Sequence, residues 1–488
     1  MFNFKSDMVD VFRIAFITAL LSYLFVYGFE VTHFTLSIDE EPLDNFLQTL
    51  SAGRWGHALL RHYILPEPYA PFFTTIFSLI VLSLSAAATA IYLKLNKIES
   101  AAFVIMLASL PQFAYQLEFS NQADTVSLSF LFSVLALLTL EKFSIQRALI
   151  FIALTIASLA VYQSIFLYAA TLLCIKLTVD AIKNETTYAE VCKRIGIFCL
   201  LIIFSLVINA FLSKWIAAFF HISISNYLSS MIGWGKKDAY DVFKGVLFFI
   251  RDYLRFKAAY GMNAFPFTLV FLAVIIFNCI KRKTNISLVI LLSFATLLSG
   301  FLLNFAIGSG MPPRAMTQIP LVFAGLFLVA FMLTKNKVIG LIIPIVFLCV
   351  GAAASNKLFY SDYMARQADE SFSNQLIAAI YDKYPEFDAE RNPVYFYGSY
   401  TPANPWKIPT ADIFGSSFFD WDGGNNRRMY MYLSTANLIK FSEPNNAQIE
   451  QSIEVARKMK HWPNRDSILM FDNVLIIKLS DKFSPYNR

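Results

Sequence analysis

The segment FTLSIDEEPLDNF, residues 34 to 46, places three consecutive carboxylates directly after a long apolar run. The three residues are Asp39, Glu40 and Glu41. A carboxylate in such a position can act as a general base and take the proton of an attacking hydroxyl group. The acidic cluster is therefore a candidate catalytic centre.

A structural interpretation of the cluster is equally open. Pro42 suits the first turn of a helix, and apolar residues follow it at helical spacing. These residues are Leu43, Phe46, Leu47 and Leu50. The pattern predicts an amphipathic helix in the membrane interface, with the carboxylates at its N-terminus, where the helix dipole favours negative charge.

Two further segments carry groups that complement a carboxylate base. LEFSNQADTVS, residues 117 to 127, contains Glu118 and Asp124, and GSGMPPRAMTQIP, residues 308 to 320, contains Arg314. The planar guanidinium group of an arginine can bind a phosphate through two hydrogen bonds. A lone arginine at a membrane surface, however, often extends its side chain to the lipid headgroups instead. A base together with a cation for a departing phosphate suits an enzyme that takes an activated group from a phosphate-bearing lipid.

The chain shows little that would bind a metal ion. Asp39 with Asp124 could ligate a divalent cation, but there is no HExxH motif, and His57 and His62 stand five residues apart, a poor helical spacing for shared ligation. The five cysteines lie in or beside apolar runs and imply neither a zinc site nor a disulfide framework. We therefore expect no obligatory metal or other cofactor.

The composition is that of a polytopic membrane protein. Of 488 residues, 57% are apolar and only 15% are charged, which leaves too few polar residues to cover a soluble protein of this size. The net charge of +6 comes with no recognition motif, so nucleic-acid binding is not expected. Span-length apolar runs predict about eleven transmembrane helices, at residues 11–32, 71–93, 101–117, 125–141, 147–161, 164–180, 195–218, 263–280, 285–303, 317–334 and 338–356.

The basic residues predict the orientation of these helices. They fall in alternate short loops, which the positive-inside rule places in the cytoplasm together with the N-terminus. Those loops carry Lys94 and Lys97, Lys142 and Arg147, Lys183 with Lys193 and Arg194, KRK at 281–283, and KNK at 335–337. The other loops then face the extracytoplasmic side, at residues 33–70, 118–124, 219–262 and 304–316.

A sharp change to polar composition divides the chain into a transmembrane domain, residues 1–356, and a C-terminal domain, residues 357–488. Alternating apolar residues predict a strand at 393–400 in the second domain and a hairpin that turns at Asp472 and Asn473. A helical pattern at 447–460 lies between them. The C-terminal domain is thus predicted to be a small α/β domain on the extracytoplasmic side.

One stretch of this domain, SSFFDWDGGNN at residues 416 to 426, has two interpretations. Its glycines and asparagines are typical of a simple turn. Its Phe418, Trp421 and Asp422 are also residue types that bind sugars, because aromatic faces pack on sugar rings and carboxylates accept hydrogen bonds from hydroxyl groups.

Taken together, these features resemble a known family. The SIDEEP motif after the first apolar run, the acidic loop with Asp124, the GSGMPPRAMTQIP segment and the polar tail are similar to the type II O-antigen glucosyltransferases of serotype-converting phages. That family falls within the lipid-phosphosugar-dependent glycosyltransferases of the C-type fold. The resemblance covers essentially the whole chain and implies a polytopic all-α protein of the bacterial inner membrane, with a periplasmic α/β domain at its C-terminus.

The resemblance also implies a reaction and its partners. The donor would be undecaprenyl-phosphate glucose, and the acceptor a sugar of the lipopolysaccharide O-antigen. A bactoprenol glucosyltransferase would make the donor, and a small flippase would turn it over in the membrane. Because a polyprenyl phosphate is its own leaving group, no nucleotide-binding loop is needed, and a single displacement inverts the anomeric configuration.

The catalytic carboxylate of the family lies in the acidic motif, so the resemblance implies that Asp39, Glu40 or Glu41 is the base, and we favour Glu40, with Asp39 as the second choice. Asp124 would orient the acceptor or the base, and Arg314 would hold the donor phosphate. Further candidate contacts to the acceptor are Glu41, Glu118, Phe418, Trp421 and Asp422.

Two alternatives of other kinds remain. A polytopic transporter would show ionisable residues near the middle of its spans and paired broken helices, and few such residues are present. An O-antigen polymerase or ligase would more typically carry an arginine-rich periplasmic loop between spans than a separate C-terminal domain. We therefore favour the glycosyltransferase over both.

Overall fold

The computed structural model describes residues 2–225, 227–256, 260–261, 263–282, 286–334 and 336–487. In these ranges the chain is mostly helical, with one small sheet near its C-terminus. The helices are α1 (Phe2–Tyr27), α2 (Phe29–Thr32), α3 (Phe46–Ser51), α4 (Trp55–Tyr63), α5 (Pro71–Tyr92), α6 (Lys97–Ala108), α7 (Ala114–Leu117), α8 (Ala123–Thr139), α9 (Ile145–Val161), α10 (Phe166–Ile182), α11 (Tyr188–Phe219), α12 (Tyr227–Met231), α13 (Ala239–Tyr253), α14 (Phe267–Arg282), α15 (Ile286–Ser299), α16 (Leu302–Ile307), α17 (Ile319–Thr334), α18 (Lys337–Lys383), α19 (Asn426–Thr435) and α20 (Asn446–Lys458).

The chain forms two compact units. The membrane unit contains residues 1–32 and 44–356, and the C-terminal unit contains residues 33–43 and 357–488. The boundary at residue 356 falls inside the long helix α18. The acidic segment 33–43 thus groups with the C-terminal unit, whereas the sequence predicts it as part of an outer loop of the transmembrane domain.

Local sequence signals explain where helices of the membrane unit begin and end. The Asn96 side chain caps α6 by accepting the backbone N–H groups of Ile98 and Glu99 at 3.0 Å, and the Glu99 carboxylate accepts the N–H of Asn96. After α6 the chain bends by 48° near Pro111 before α7. Because proline has no N–H for the helical ladder, the apolar run at 101–117 forms a broken pair instead of one straight helix.

The described residues include five helices that are long and apolar enough to cross a membrane by length and composition, and the bent pair would make a sixth. Five more apolar helices are shorter, at 10–17 residues. The chain is therefore a membrane protein, with fewer full-length spans than the eleven predicted, because a helix needs about 20 residues to cross the hydrocarbon layer untilted. The predicted loops at 219–262, 281–283 and 335–337 lie partly outside the described residues.

The helix predicted after Pro42 begins later than expected. It is the short α3, and the Asp44 carboxylate accepts the backbone N–H of Phe46 at 3.0 Å, at the start of that helix. The three carboxylates at 39–41 are therefore not in its first turn, and the interpretation of the cluster as a helix cap is wrong for this helix. The reason is that the chain turns at residues 37–40 before α3 starts.

The C-terminal unit contains a three-stranded sheet of β1 (Val394–Tyr397), β2 (Ile468–Phe471) and β3 (Val474–Lys478) in the order β1-β3-β2. Strand β1 is parallel to β3, and β2 is antiparallel to it. The hairpin turns at Asp472 and Asn473, as the sequence predicts, and both residues have the positive φ that a two-residue turn favours. Helix α20 packs on the sheet through buried side chains that include Ile453 and Ala456.

Candidate functional site

The acidic cluster lies in a tight turn of the C-terminal unit. The N–H of Glu40 donates to the carbonyl oxygen of Ser37 at 3.1 Å, and between them Asp39 has a φ of 77°. Gly or Asn usually occupies a turn position with positive φ, because most side chains are strained there. Backbone strain at a charged residue is a frequent property of functional sites, so Asp39 is a candidate functional residue.

The three carboxylates differ in their access to solvent. The Asp39 side chain is 40% exposed, whereas Glu40 is 0% and Glu41 is 3% exposed. The buried Glu40 folds back on its own turn, and one of its carboxylate oxygens accepts the N–H of Ser37 at 2.8 Å. Asp39 is therefore the most accessible carboxylate of the cluster, and Glu40 stabilises the turn that presents it.

Helix α18 anchors the same turn through a second carboxylate. The Ser37 hydroxyl donates to one oxygen of Asp362 at 2.8 Å, and the other oxygen of Asp362 accepts the N–H of Gly415 at 3.1 Å. Ser37 and Asp362 are both buried. The strained conformation at Asp39 is thus held by hydrogen bonds from residues distant in the sequence.

Arg428 gathers three carboxylates of the C-terminal unit around one guanidinium group. Its Nη2 donates to Asp39 at 2.8 Å, its Nε donates to Asp422 at 2.9 Å, and its Nη1 donates to Glu41. Each of the three nitrogens serves a different acid, which only the forked guanidinium geometry allows. The arrangement fixes the orientation of Asp39 while it leaves part of that carboxylate exposed.

Helix α19 positions Arg428. The side chain of Asn425 caps this helix and accepts the backbone N–H of Arg428 at 3.4 Å. Thr435 lies seven residues after Arg428 and so on the same face of the helix, and its hydroxyl donates to the carbonyl oxygen of Glu41 at 2.8 Å. One helix face therefore holds both the side chain and the backbone of the acidic segment.

Burial and neighbouring charges shift the pKa values of Glu41 and Arg428 in opposite directions. Burial raises the pKa of the Glu41 carboxyl above its ordinary value, and the nearby Arg428 only partly reverses the effect. Burial by itself would lower the pKa of the Arg428 guanidinium, but the carboxylates of Glu41 and Asp39 raise it. Arg428 consequently stays charged at every accessible pH.

The membrane unit contains a second polar cluster, between α4 and the start of α8. Arg61 and Asp124 are both buried, and their side chains form an ion pair at 2.5 Å. His57, one turn before Arg61, makes a hydrogen bond of 2.7 Å through Nδ1 to the hydroxyl of Thr125. That hydroxyl donates its single proton to the carbonyl oxygen of Gln122, so Nδ1 of His57 is the donor.

This environment controls the protonation of His57. Burial, reinforced by the positive charges of Arg61 and Arg54, lowers the pKa of the His57 imidazole to about 3. His57 is therefore neutral at physiological pH. It orients α4 against α8 and does not contribute a positive charge.

Arg314 lies beside aromatic rings of the membrane unit. Its guanidinium is 5.3 Å from the ring centroid of Phe119, and its carbonyl oxygen accepts a hydrogen bond from the Tyr162 hydroxyl at 3.3 Å. The guanidinium of Arg54 lies 4.7 Å from the centroid of the Tyr162 ring. Tyr162 thus contacts the guanidinium of Arg54 and the backbone of Arg314, and each of the two guanidinium groups is a candidate for binding an anionic phosphate.

The remaining predicted residues lie in less accessible or less specific places. Glu118 is buried at the end of α7. Phe418 is 0% exposed and stacks on Tyr432, with ring centroids 4.5 Å apart, and the guanidinium of Arg366 lies 4.3 Å from the centroid of the Phe418 ring. Its ring belongs to the core, so the expectation that Phe418 offers a surface to a sugar is wrong. Trp421 remains partly exposed in the turn before α19.

The structure brings some predicted residues together within each unit. In the C-terminal unit, Asp39, Glu41 and Asp422 share the guanidinium of Arg428. In the membrane unit, Asp124 pairs with an arginine that the sequence interpretation did not consider. Among the residues that the structure describes, no group of three or more His, Cys, Asp or Glu side chains is placed so that it could hold a metal ion.

Sequence reasoning missed Arg428, Arg61, Arg54 and Ser37. Arg428 directly follows the SSFFDWDGGNN stretch, for which a turn and a sugar-binding surface are both open interpretations, and the pair of arginines after the asparagines is its only signal in the sequence. Nothing in the sequence connects it to a segment nearly four hundred residues earlier. The partners of Asp39 and Asp124 are decided by the fold.

A polytopic helical chain with clustered carboxylates and arginines in polar segments is characteristic of a membrane enzyme that acts on a polar substrate. A family model described as Glucosyl transferase GtrII matches residues 28–331, more than half of the chain. The chain belongs to that family and is a glycosyltransferase with sugar substrates, and the transporter alternative is not supported. A search of curated proteins and a search of solved structures both gave no significant match.

Proposed function

We propose that this protein transfers glucose from undecaprenyl-phosphate glucose to a sugar of the lipopolysaccharide O-antigen, on the periplasmic side of a bacterial inner membrane. Membership of the glucosyl transferase family supports the transferred sugar. The observation that carries the proposal is the accessible carboxylate of Asp39, held in a strained turn by Arg428. Such a pre-oriented carboxylate is what a general base requires.

The proposed reaction is a single displacement. Asp39 accepts the proton of an acceptor hydroxyl group as the hydroxyl oxygen forms a bond to the anomeric carbon of glucose. The bond between that carbon and the phosphate oxygen breaks, and the electron pair leaves with undecaprenyl phosphate. The configuration at the anomeric carbon inverts, so no second carboxylate acts as a nucleophile.

Asp39 replaces Glu40 as the preferred base because of their difference in exposure. A fully buried carboxylate that accepts the N–H of Ser37 cannot reach an acceptor unless the turn opens. We assign Glu40 the role of a positioning residue that stabilises the turn. Glu41 and Asp422 share this role, because both orient Arg428.

The leaving phosphate needs positive charge, and we propose Arg314 for this role, assisted by Arg54. In the membrane unit, Tyr162 contacts the guanidinium of Arg54 and the backbone carbonyl of Arg314, whose own guanidinium lies over Phe119. Asp124 acts indirectly in this proposal, since it fixes α4, the helix that follows Arg54, through its ion pair with Arg61. Guanidinium groups can neutralise a phosphate by themselves, so we propose no obligatory metal cofactor.

We further propose that the bent pair and the five shorter apolar helices cross the membrane along with the five long ones, which gives eleven transmembrane helices with the N-terminus in the cytoplasm. Residues 357–488 form a separate domain in the periplasm in this proposal. Two ion pairs and a hydrogen bond support this orientation, because they bring three of the basic loops and the first turns of α1 to one end of the membrane unit. The Lys97 ammonium lies 2.7 Å from Asp10, the Lys94 ammonium lies 3.4 Å from Glu141, and Lys183 donates to the carbonyl oxygen of Lys94 at 2.9 Å. Such clustering agrees with a common cytoplasmic side.

The donor requires two partners in this proposal. A bactoprenol glucosyltransferase makes undecaprenyl-phosphate glucose on the cytoplasmic side, and a small flippase moves it to the periplasmic side. The consequence for the cell is a changed O-antigen, that is, serotype conversion.

The test is to express variants in bacteria that contain these partners and to measure the glucose on extracted lipopolysaccharide by mass spectrometry. We expect Asp39→Asn to reduce transfer by about 100-fold or more, the usual contribution of a general base, without loss of thermal stability. Glu40→Gln should reduce both transfer and thermal stability, because it loosens the turn. Asp44→Asn is the matched control, since Asp44 is an exposed carboxylate of the same loop.

The outcomes separate the roles. Loss of transfer in Glu40→Gln at unchanged stability, with transfer retained in Asp39→Asn, would assign the base to Glu40. Full transfer in both variants would remove the acidic cluster from the reaction. Absence of glucose with the wild-type chain, at normal membrane abundance and with donor present, would contradict the proposed donor or acceptor.

A further inference from the structure

The C-terminal unit has an exposed aromatic residue that the proposed reaction does not use. Trp406 is 49% exposed, and its ring packs edge-on against Tyr360 of α18, with ring centroids 5.0 Å apart. Tyr360 in turn stacks on Tyr363, at 6.3 Å and an interplanar angle of 30°. An exposed tryptophan supported by a second ring is a rigid surface on which a planar or ring-shaped ligand can pack.

The loop that carries Trp406 is fixed by hydrogen bonds. The Asn404 side chain donates to the carbonyl oxygen of Ser361 at 2.8 Å and accepts the backbone N–H of Trp406 at 3.1 Å. Gly415 packs so closely on the loop, with a φ of 72°, that a Cβ atom there would lie 3.2 Å from the Asn404 amide nitrogen. Trp406 is therefore presented on a prearranged backbone, which lowers the entropy cost of binding.

A cavity of about 250 Å³ opens beside this loop. Three alanines form part of its lining, namely Ala365, Ala368 and Ala403. The lining also contains the hydroxyl, carboxamide and ammonium groups of Thr401, Asn404 and Lys407. The cavity is smaller than the roughly 300–1,000 Å³ of typical drug-sized sites, so it suits one or two sugar rings.

We propose that this cavity and Trp406 form a subsite for a sugar ring of the polysaccharide acceptor, an inference that rests on the proposed function. The small apolar lining accommodates the carbon face of a ring. The Thr401 hydroxyl and the Lys407 ammonium supply hydrogen-bonding groups for its hydroxyls, whereas the Asn404 carboxamide fixes the loop. Trp406 packs on the neighbouring ring, and the subsite holds the polysaccharide by units that do not react.

The polar lining favours a sugar over a lipid surface. Trp406 lies on the same loop as Asn404, which accepts its backbone N–H. The neighbouring cavity is lined by the hydroxyl group of Thr401 and the ammonium group of Lys407, groups that can hydrogen-bond to the hydroxyls of a sugar. The single ammonium of the lining, from Lys407, is compatible with a neutral or an acidic sugar.

The test measures binding of delipidated O-polysaccharide to the full-length protein in detergent, without donor. We compare wild type with Trp406→Ala and with Ala368→Leu, whose larger side chain occupies the cavity. Each change should weaken the affinity by about five- to tenfold, which corresponds to about 1.0–1.4 kcal/mol. Tyr486→Ala is the matched control, because Tyr486 is an aromatic residue of the same unit with 56% exposure.

Two further measurements keep the inference separate from the proposed function. Asp39→Asn should bind the polysaccharide as wild type does, even though its glucose transfer is reduced by about 100-fold or more. In transfer assays, Trp406→Ala should raise the KM for the acceptor and leave kcat nearly unchanged.

Three outcomes would overturn the subsite. The first is unchanged affinity in both Trp406→Ala and Ala368→Leu, and the second is no binding by the wild-type protein. The third is quenching of Trp406 fluorescence by brominated phospholipids in vesicles. The Trp406 signal is obtained as the difference in fluorescence between the wild type and Trp406→Phe. That result would place the ring in the membrane surface instead.

Discussion

Asp39 combines two properties that its acidic neighbours lack. It has a strained positive φ, and it is the one carboxylate of the three that stays substantially exposed. Glu40 and Glu41 are buried and engaged in the turn and in the ion cluster. At the scale of single residues, three adjacent acids of similar chemistry therefore have different roles, which their surroundings assign.

Replacement of Arg428 should affect both glucose transfer and the stability of the protein. Arg428→Lys keeps the charge but cannot donate in three directions, so Asp39 loses its orientation. We expect about tenfold or greater loss of glucose transfer for Arg428→Lys, and about 1–3 kcal/mol of lost stability for Arg428→Ala, because the buried Glu41 is left without its charged donor. Transfer assays and thermal unfolding of the full-length protein in detergent measure the two effects.

The neighbouring Arg427 provides the matched control, since it is exposed and on the same helix turn. Arg427→Ala should change neither quantity. Equal effects of the two alanine variants would show that general surface charge, and not the ion cluster around Arg428, matters to the enzyme.

At the scale of secondary-structure elements, two polar pairs connect α4 to the start of α8. His57 and Arg61 are four residues apart on α4, so both face the same way, toward Asp124 and Thr125 at the start of α8. The pairs fix the direction of α4, which begins directly after Arg54. The helix pair is thus part of the machinery that places the proposed phosphate-binding arginines.

His57 makes the stability of this helix pair depend on pH. Its pKa is lowered to about 3 in the folded protein, so the unfolded chain binds more protons between pH 3 and about 6.5, the ordinary value. Its contribution to stability is present above pH 6.5 and is lost as the pH falls toward 3, by at most about 1.4 kcal/mol per pH unit. Thermal unfolding at several pH values should show this decline in the wild type.

In His57→Asn the amide can keep the hydrogen bond to Thr125 without titrating, so the difference in stability between variant and wild type should shift in favour of the variant as the pH falls. His62→Asn is the control, because His62 lies on the same helix but is largely exposed. A parallel pH dependence in wild type and His57→Asn would contradict the assignment.

At the scale of the whole molecule, the family match covers residues 28–331 only, whereas the structure also describes the C-terminal unit. The family model ends at residue 331, whereas Arg428 and Trp406 belong to the C-terminal unit. The acidic segment falls within the matched residues, yet it folds with that unit. The C-terminal unit is therefore expected to be required for transfer, because it contains the partners of Asp39.

The proposed orientation predicts where the chain can be labelled. In a background with all five cysteines changed to alanine, Gln451→Cys should react with a membrane-impermeant maleimide in intact spheroplasts. Lys142→Cys should react only after the membrane is opened, because its loop is basic and predicted to be cytoplasmic. Both positions are exposed in the structure, so burial does not explain a difference. The opposite labelling pattern would reverse the proposed topology.

The sequence alone determined the class of this protein, since apolar runs, basic loops and a polar tail depend only on composition along the chain. It also located the acidic cluster and the hairpin at Asp472 and Asn473, because each is encoded within a few residues. The resemblance to a glucosyltransferase family, drawn from those motifs, is confirmed by the family match.

Only the tertiary structure decided which of these residues act together. Arg428 contacts Asp39 across 389 residues of chain, and Asp124 pairs with Arg61 between two helices, contacts for which local sequence carries no signal. The sequence also carries no signal for the burial of single aromatic residues, since Phe418 lies in the core and Trp406 lies at the surface. The physical reason is that ion pairing and burial depend on how distant elements pack, whereas periodicity and charge alternation are properties of neighbours in the chain.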